Sequence, residues 1–351
     1  MPSLLPLDSP VSALLARGLD EVAVIFERQL ASEFSAVNGL CRHIEHFRGK
    51  MLRPTLVMLS GLAVLGDDAV QPGLLADPES DGIALDDDGA IGRITRRHLI
   101  VAAVVEMIHI ATLVHDDVLD EAELRRRGQT VNRLSGNEAA VMLGDYLISN
   151  AFHLCSSAGD PAINLRLGEV TNILCEGELL QLHHRDDYGM SEATYFEIIG
   201  RKTASLIGAA CELGARLSGA DESLVQRVER AGRRLGVAFQ IQDDLLDLLS
   251  SEAEVGKTVG RDLEKGKLTL PVIQHLQSAG ARQRGCMLEL IEARDASAMR
   301  DLLGESGAIE QSRAVAAQHV ADAREDLAVL PPGPAQELFD RLAALMLERR
   351  A

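Results

Sequence analysis

The chain has 351 residues, 46 % hydrophobic and 25 % charged, a balance that excludes disordered, collagenous and disulfide-scaffold classes and supplies a sizeable core. Lys and Arg number 35 against 53 Asp and Glu, a formal net charge of −18, so nucleic acid and anionic membrane surfaces are not expected as partners. The five cysteines, Cys41, Cys155, Cys175, Cys211 and Cys286, show no metal-ligand spacing and are read as buried small hydrophobes in a reducing compartment.

At the N-terminus no Lys or Arg precedes the apolar residues and Asp8 interrupts them, unlike a secretory signal, so a cytoplasmic location is expected. Leu, Ala, Glu and Arg dominate and apolar residues recur at helical spacing without a βαβ rhythm, which predicts an all-α chain. The first helix is expected over 10–36, and the next after Arg53-Pro54, where proline is tolerated in the first turn. Between 66 and 90, Asp and Glu accumulate without any Lys or Arg, which predicts a solvated acidic loop insertion. Asp86, Asp87 and Asp88 lack the alternate-residue spacing of a calcium loop. A helix over 96–119 follows, whose apolar stretch 99–114 is shorter than a span of about 18 residues and contains Glu106 and His109; it reads as a buried helix and not a membrane segment. Further helices are expected over 137–156, 162–184, 192–219 and 221–249, then after Pro271, and finally over 334–349 beyond Pro331-Pro332-Gly333. His183-His184 and Asp186-Asp187 read as a helix end, because adjacent histidines on a helix face different ways.

The sequence D-D-x-x-D occurs twice, as Asp116, Asp117 and Asp120 and again as Asp243, Asp244 and Asp247. At about 3.6 residues per turn the first and last carboxylates of each cluster share one helix face, one turn apart. Like charges so close are costly, and more so beside the apolar runs that precede both clusters, so a cation is expected to offset them. Magnesium suits this role, since it prefers oxygen ligands and is commonly held by a few carboxylates together with phosphate oxygens. Acidic helix faces are usually only solvated, but residues 99–114 and 236–241 are too apolar for surface helices. Glu106, His109 and Asp116 share a face with Asp120, and Gln240 stands at helical spacing from the second cluster.

A diphosphate site also needs cations and hydrogen-bond donors, and the basic residues are grouped accordingly. They stand in Gly49-Lys50-Met51-Leu52-Arg53-Pro54, Arg125-Arg126-Arg127, Gly200-Arg201-Lys202-Thr203, and from Gly256-Lys257-Thr258 through Lys267. Together GKMLRP, HDDVLDEAELRRR, GRKTASLIGAA, FQIQDDLLD and VGKTVGRDLEKGKLTLP, in this order, resemble the trans-isoprenyl (polyprenyl) diphosphate synthases over residues 19–332.

That resemblance implies an all-α, single-domain bundle of antiparallel helices around a deep central cavity, here over residues 1–351, usually a homodimer and dependent on Mg2+, with three ions when the allylic diphosphate is bound. It implies metal binding by Asp116, Asp117, Asp120, Asp243, Asp244 and Asp247. Arg125, Lys202, Thr203, Gln240, Lys257 and Lys267 resemble contacts to the allylic diphosphate, and Lys50, Arg53, His109 and Arg126 those to isopentenyl diphosphate. Lys202, Thr203 and Gln240 would also stabilise developing cationic charge through the dipoles near them. The family usually reads Arg-Arg-Gly where this chain has Arg125-Arg126-Arg127-Gly128, so the choice of working arginines stays open.

Aromatic residues make up only 3 % of the chain and Trp is absent, which disfavours a terpene cyclase, a class that steers long-lived cations with aromatic walls. Both aspartate clusters are intact, unlike those of non-catalytic partner subunits. Short-chain enzymes of the family tend to carry an aromatic plug about one turn before the first aspartates, where this chain has the small Ala111 and Thr112. Phe152 is a candidate floor for the product, and EGELLQL (176–182) resembles the polyprenyl branch. A product longer than fifteen carbons is expected, with a geranylgeranyl diphosphate synthase as the alternative.

Overall fold

The computed structural model describes residues 9–47, 49–66, 94–126, 128–249 and 261–348. The acidic insertion beyond Gly66, Arg127 and Lys257 lie outside the described residues. The fold is all-α, its helices relieved among the described residues by one two-stranded hairpin. By packing, the chain divides into two units, one of residues 1–171, 206–232 and 326–342, the other of 172–205, 233–325 and 343–351.

In the first unit, α1 (Pro10–Leu30) begins at Ser9, whose Oγ accepts from the Ser12 N–H, with Pro10 in the first turn. It buries Val11, Leu14, Leu15, Gly18, Val22, Phe26 and Leu30, the stripe that helical periodicity predicts. The helix stops six residues short of the expected 36, because the Asn38 side chain binds the Ser32 backbone on both sides. Its Oδ1 accepts from the Ser32 N–H at 3.0 Å and its Nδ2 donates to the Ser32 carbonyl at 2.7 Å. A separate α2 (Ser35–Ile44) follows.

The next helix, α3 (Leu52–Ala63), is entered through Met51 in the left-handed region and is buried throughout from Pro54 onward. The long α4 (Arg96–Leu119) packs against α1, α3 and α6 (Asn137–Ser156), which explains why its sequence is apolar all round. This is the one described helix long and apolar enough to cross a membrane, and most of it is buried within the fold. Its N-terminus carries a reciprocal cap in which histidine takes the place usually held by Glu or Gln. The Thr95 N–H and His98 Nδ1 are 3.1 Å apart, and on the other side of the ring Nε2 lies 3.1 Å from the Gly214 carbonyl. Short α5 (Val131–Ser135) precedes α6, and α7 (Pro161–His183) follows it.

In the second unit, α8 (Glu192–Ile199) starts at Ser191, whose Oγ accepts from the Thr194 N–H. The single helix expected over 192–219 is interrupted by a π turn at Gly200–Ala204 before α9 (Ser205–Leu217), which belongs to the first unit from Leu206 on, resumes. After α10 (Glu222–Leu249), which begins in the first unit, come α11 (Arg261–Glu264), α12 (Leu270–Ser278), α13 (Ala281–Ala293), α14 (Ala296–Glu305), α15 (Ala308–Leu327) and, largely in the first unit, α16 (Pro334–Leu345). α12 packs on α8, α13 and α14, and the core of this unit gathers Tyr195, Ile198, Ile199, Ile241, Leu245, Leu270, Ile273, Met287 and Leu303. The expectation of uniformly buried cysteines is corrected: Cys41, Cys155 and Cys211 are buried, whereas Cys175 and Cys286 lie on exposed positions of α7 and α13.

Candidate active site

Each unit holds one aspartate cluster, and each cluster separates its three carboxylates by burial. In the first, Asp116 and Asp120 are half-buried, while Asp117 is 1 % exposed. Such a carboxylate requires partners, and Arg125 supplies them: Nε lies 2.9 and 3.0 Å from the two carboxylate oxygens and Nη2 2.8 Å from Oδ1. Burial raises the Asp117 pKa, as do Asp116 and Asp120, against the lowering effect of Arg125.

The return of Arg125 depends on a turn that helical periodicity does not register. α4 ends at Leu119 with Asp120 as its cap, Glu121 is left-handed, and the Ala122 N–H donates back to the Asp117 carbonyl at 2.8 Å. Thr130 Oγ1 and Asn132 Nδ2 both donate to the Ala122 carbonyl, at 2.6 and 3.1 Å. Between these anchors β1 (Leu124–Arg125) pairs antiparallel with β2 (Gly128–Gln129), and Arg126 takes the left-handed conformation that a two-residue hairpin connection requires. The hairpin separates the first two arginines of the run, Arg125 turning to Asp117 and Arg126 to the chain ahead of α3.

Arg126 Nη1 donates to the Phe47 carbonyl, and its guanidinium lies against Gly49, where a Cβ would have to displace it. Arg53, Arg126 and Arg125 all bear on His109, whose pKa lies well below the ordinary imidazole range, by burial first and then by these three cations. His109 is therefore neutral among guanidiniums, a site with net positive charge and imidazole hydrogen-bonding capacity. Lys50 is exposed on the segment that opens α3. Three of the four residues assigned to isopentenyl diphosphate are thus gathered by the fold.

In the second cluster Asp243 and Asp247 are half-buried and Asp244 is 6 % exposed. Tyr195 donates its hydroxyl to Asp244 Oδ2 at 2.6 Å, Gln240 Nε2 donates to Oδ1 at 2.8 Å, and Thr203 Oγ1 donates to Gln240 Oε1 at 2.8 Å. Asp244 is nonetheless pushed up to about 8, by burial first and then by Asp262 and Asp243. The Tyr195 phenol is held well above its usual range by burial and by Asp244 and stays a donor.

The π turn places the basic motif. It turns Arg201 outward to Glu197 and Glu176, and Lys202 inward to Gln181, at 2.9 Å, and to Glu178. π turns recur at functional sites because the extra residue redirects side chains from the helical register. α7 approaches so closely that a Cβ on Gly177 would lie 2.7 Å from the Lys202 nitrogen. Sequence reasoning gave Glu178 and Gln181 no role, although both stand in EGELLQL, and missed Tyr195 entirely.

Lys267 is buried just after α11, whose end is closed by Gly266 (φ 70°), with the Lys267 N–H donating to the Asp262 carbonyl and the Gly266 N–H to that of Leu263. The Asp186 N–H donates to the Gly266 carbonyl at 2.9 Å. α7 stops at His183, and His184 Nδ1 pairs with Asp187 Oδ2 at 2.7 Å in the turn beyond it. Ala111 is fully buried on α4, Thr112 Oγ1 donates to the His109 carbonyl, and Phe152 is half-buried on α6, the helix packed along α4.

The donors fit a hard divalent ion. They are carboxylate oxygens, and Asp243 and Asp262 add negative charge beside the buried Asp244, which a cation would relieve. Among the described residues no three His, Cys, Asp or Glu side chains form a metal cage of their own. Mg2+ keeps water and shares one or two carboxylates with substrate phosphate oxygens.

The polyprenyl synthetase family model matches residues 35–304. An octaprenyl diphosphate synthase of Escherichia coli strain K12 is 31 % identical over 343 residues, 97 % of this chain and 98 % of that protein. A short chain isoprenyl diphosphate synthase of Methanothermobacter thermautotrophicus is 35 % identical over 320 residues, 88 % of this chain and 90 % of that protein. Among solved structures, polyprenyl synthase from Caulobacter crescentus CB15, complexed with calcium and isoprenyl diphosphate, superposes with a TM-score of 0.83 at 30 % identity, covering 97 % of both chains. The chain belongs to the polyprenyl synthetase family. Its activity is that of a prenyltransferase, a polyprenyl diphosphate synthase.

Proposed function

We propose that the chain condenses isopentenyl diphosphate with an allylic diphosphate to give trans-polyprenyl diphosphates longer than fifteen carbons, as a cytoplasmic homodimer whose 351 residues form one catalytic domain. One observation carries the site assignment: both clusters repeat the same arrangement, a half-buried pair of carboxylates one turn apart around a buried one anchored by protein donors. Asp116 and Asp120 in the first cluster, and Asp243 and Asp247 in the second, would hold Mg2+, which would supply positive charge to the allylic diphosphate. Lys202 and Lys267 add positive charge to that leaving group, and Thr203 and Gln240 turn their dipoles toward the developing cation. Arg53, Arg126 and neutral His109 hold the second diphosphate, and Arg125 grips the Asp117 carboxylate.

In the reaction the allylic carbon–oxygen bond breaks with its electron pair going to diphosphate. The double bond of isopentenyl diphosphate forms the new carbon–carbon bond, and a proton lost to the released diphosphate restores a double bond. The small Ala111 and Thr112 and the position of Phe152 support a long product, as does the likeness to an octaprenyl diphosphate synthase. Twenty-carbon geranylgeranyl diphosphate is the alternative product.

The test is to incubate purified protein with Mg2+, labelled isopentenyl diphosphate and, separately, geranyl, farnesyl and geranylgeranyl diphosphate, and to size the dephosphorylated products. A ladder ending in one long chain is expected, lengthened in Phe152→Ala. A stop at fifteen carbons would overturn the length assignment, a stop at twenty would select the geranylgeranyl alternative, and a cyclic hydrocarbon or silence would overturn the activity itself.

A further inference from the structure

Tyr195 is 3 % exposed and its ring lies in the apolar layer formed with Ile198, Ile199, Ile241 and Leu245. Phenylalanine would fill that space equally well, and a buried hydroxyl is unfavourable unless paired, so the oxygen calls for a reason. It donates at 2.6 Å to Asp244 Oδ2. Gln240 binds the other carboxylate oxygen, so donors from α8 and α10 grip both oxygens. Thr203 in turn fixes Gln240, and Thr203 belongs to the π turn that continues directly from α8. One continuous stretch of chain, 195–203, thus sets both the Lys202-Thr203 motif and the orientation of Asp244.

We propose that Tyr195 is a positioning residue of the second aspartate cluster, its hydroxyl holding the Asp244 carboxylate in a single orientation so that a divalent ion and the allylic diphosphate meet a preorganised set of oxygens. The inference rests on the reading of that cluster as a divalent-ion site. A group that orients a metal-binding carboxylate commonly contributes ten- to hundredfold to affinity or activity.

Tyr195→Phe removes only the hydroxyl. Phe196→Leu, at the neighbouring ring, serves as the packing control. Binding of Mn2+ in the presence of inorganic diphosphate, followed by electron paramagnetic resonance, is expected to weaken roughly tenfold or more in Tyr195→Phe. Its kcat is expected to fall by a similar factor with KM for isopentenyl diphosphate unchanged, while Phe196→Leu retains both. Wild-type Mn2+ binding and kcat in Tyr195→Phe, or equal losses in the two variants, would overturn the role of Tyr195 and leave the metal site standing. Failure of wild-type protein to bind Mn2+ with diphosphate would overturn both.

A second measurement needs no variant of Tyr195. The chain has three tyrosines, Tyr146, Tyr188 and Tyr195, so fluorotyrosine labelling of the wild-type protein gives a 19F spectrum assignable through Tyr146→Phe and Tyr188→Phe. The Tyr195 resonance is expected to shift when Mg2+ and inorganic diphosphate are added together; an unmoved resonance at saturation would overturn the proposal.

Discussion

At the scale of single residues, charge placement decides what each arginine can do. Arg125 is committed to a buried carboxylate, whereas Arg126 is directed to the Phe47 carbonyl beside Gly49, within the electrostatic reach of His109. Arg126→Ala is therefore expected to raise KM for isopentenyl diphosphate about tenfold or more, each tenfold corresponding to about 1.4 kcal/mol, with KM for the allylic substrate nearly unchanged. Initial rates with each substrate varied in turn check this, and equal effects on both constants would refute the separation. Arg125→Ala should instead lower kcat, because it strands Asp117 without its partner. The repeated D-D-x-x-D was legible from residue identity and spacing, since the chemistry follows from carboxylates one turn apart. The contrast between anchored Asp117 and half-buried Asp116 was not, because burial is set by neighbours remote in sequence. Tyr195 escaped for the same reason: no spacing links it to Asp244, only the packing of α8 on α10.

At the scale of elements, most helices follow from apolar periodicity, and the departures occur where a side chain or an inserted residue competes with it. Asn38 capturing the Ser32 backbone ends α1, although the apolar pattern runs on through Phe34 and Val37. The π turn at Gly200–Ala204 leaves no mark in periodicity, yet it is what separates Arg201 from Lys202. Gly177 is informative here, since glycine inside a helix costs about 1 kcal/mol relative to alanine. The close passage of α7 over the Lys202 nitrogen accounts for it. Gly177→Ala is expected to push α7 from the π turn, draw Glu178 and Gln181 off Lys202, and lower kcat about a hundredfold, the scale of a displacement near 1 Å. Circular dichroism should remain helical, and an unchanged kcat would show that the approach of α7 does not set Lys202.

At the scale of the whole molecule, stability and metal dependence should come apart. His98 joins α4 to α9 through the Gly214 carbonyl and is held in its neutral form, with burial lowering its pKa to about 4. The unfolded chain takes up that proton near pH 6.5 while the folded chain resists until about 4, so stability falls as pH drops through this window and is flat on either side with respect to this group. The full loss is about 3 kcal/mol at 1.36 kcal/mol per pKa unit. Urea midpoints from about pH 7 to about pH 4 should therefore fall more steeply in the wild type than in His98→Gln, the carboxylates contributing to both; parallel slopes would refute the assignment. The core of the second unit is apolar, so divalent ions are expected to play no comparable part in holding the fold. A structural ion would contribute its binding energy to folding, as in small zinc domains, whereas an ion held jointly by a few carboxylates and a substrate contributes little until the substrate arrives. Exhaustive chelation is accordingly expected to abolish turnover while leaving the helical signal and the urea midpoint nearly where they were, and returned Mg2+ should restore the rate without a refolding lag. Inorganic diphosphate and Mg2+ added together should raise the midpoint more than the sum of their separate effects, because each completes the site for the other. If chelation alone unfolded the protein, or if the two ligands stabilised it only additively, the aspartates would have to be holding an ion independently of substrate.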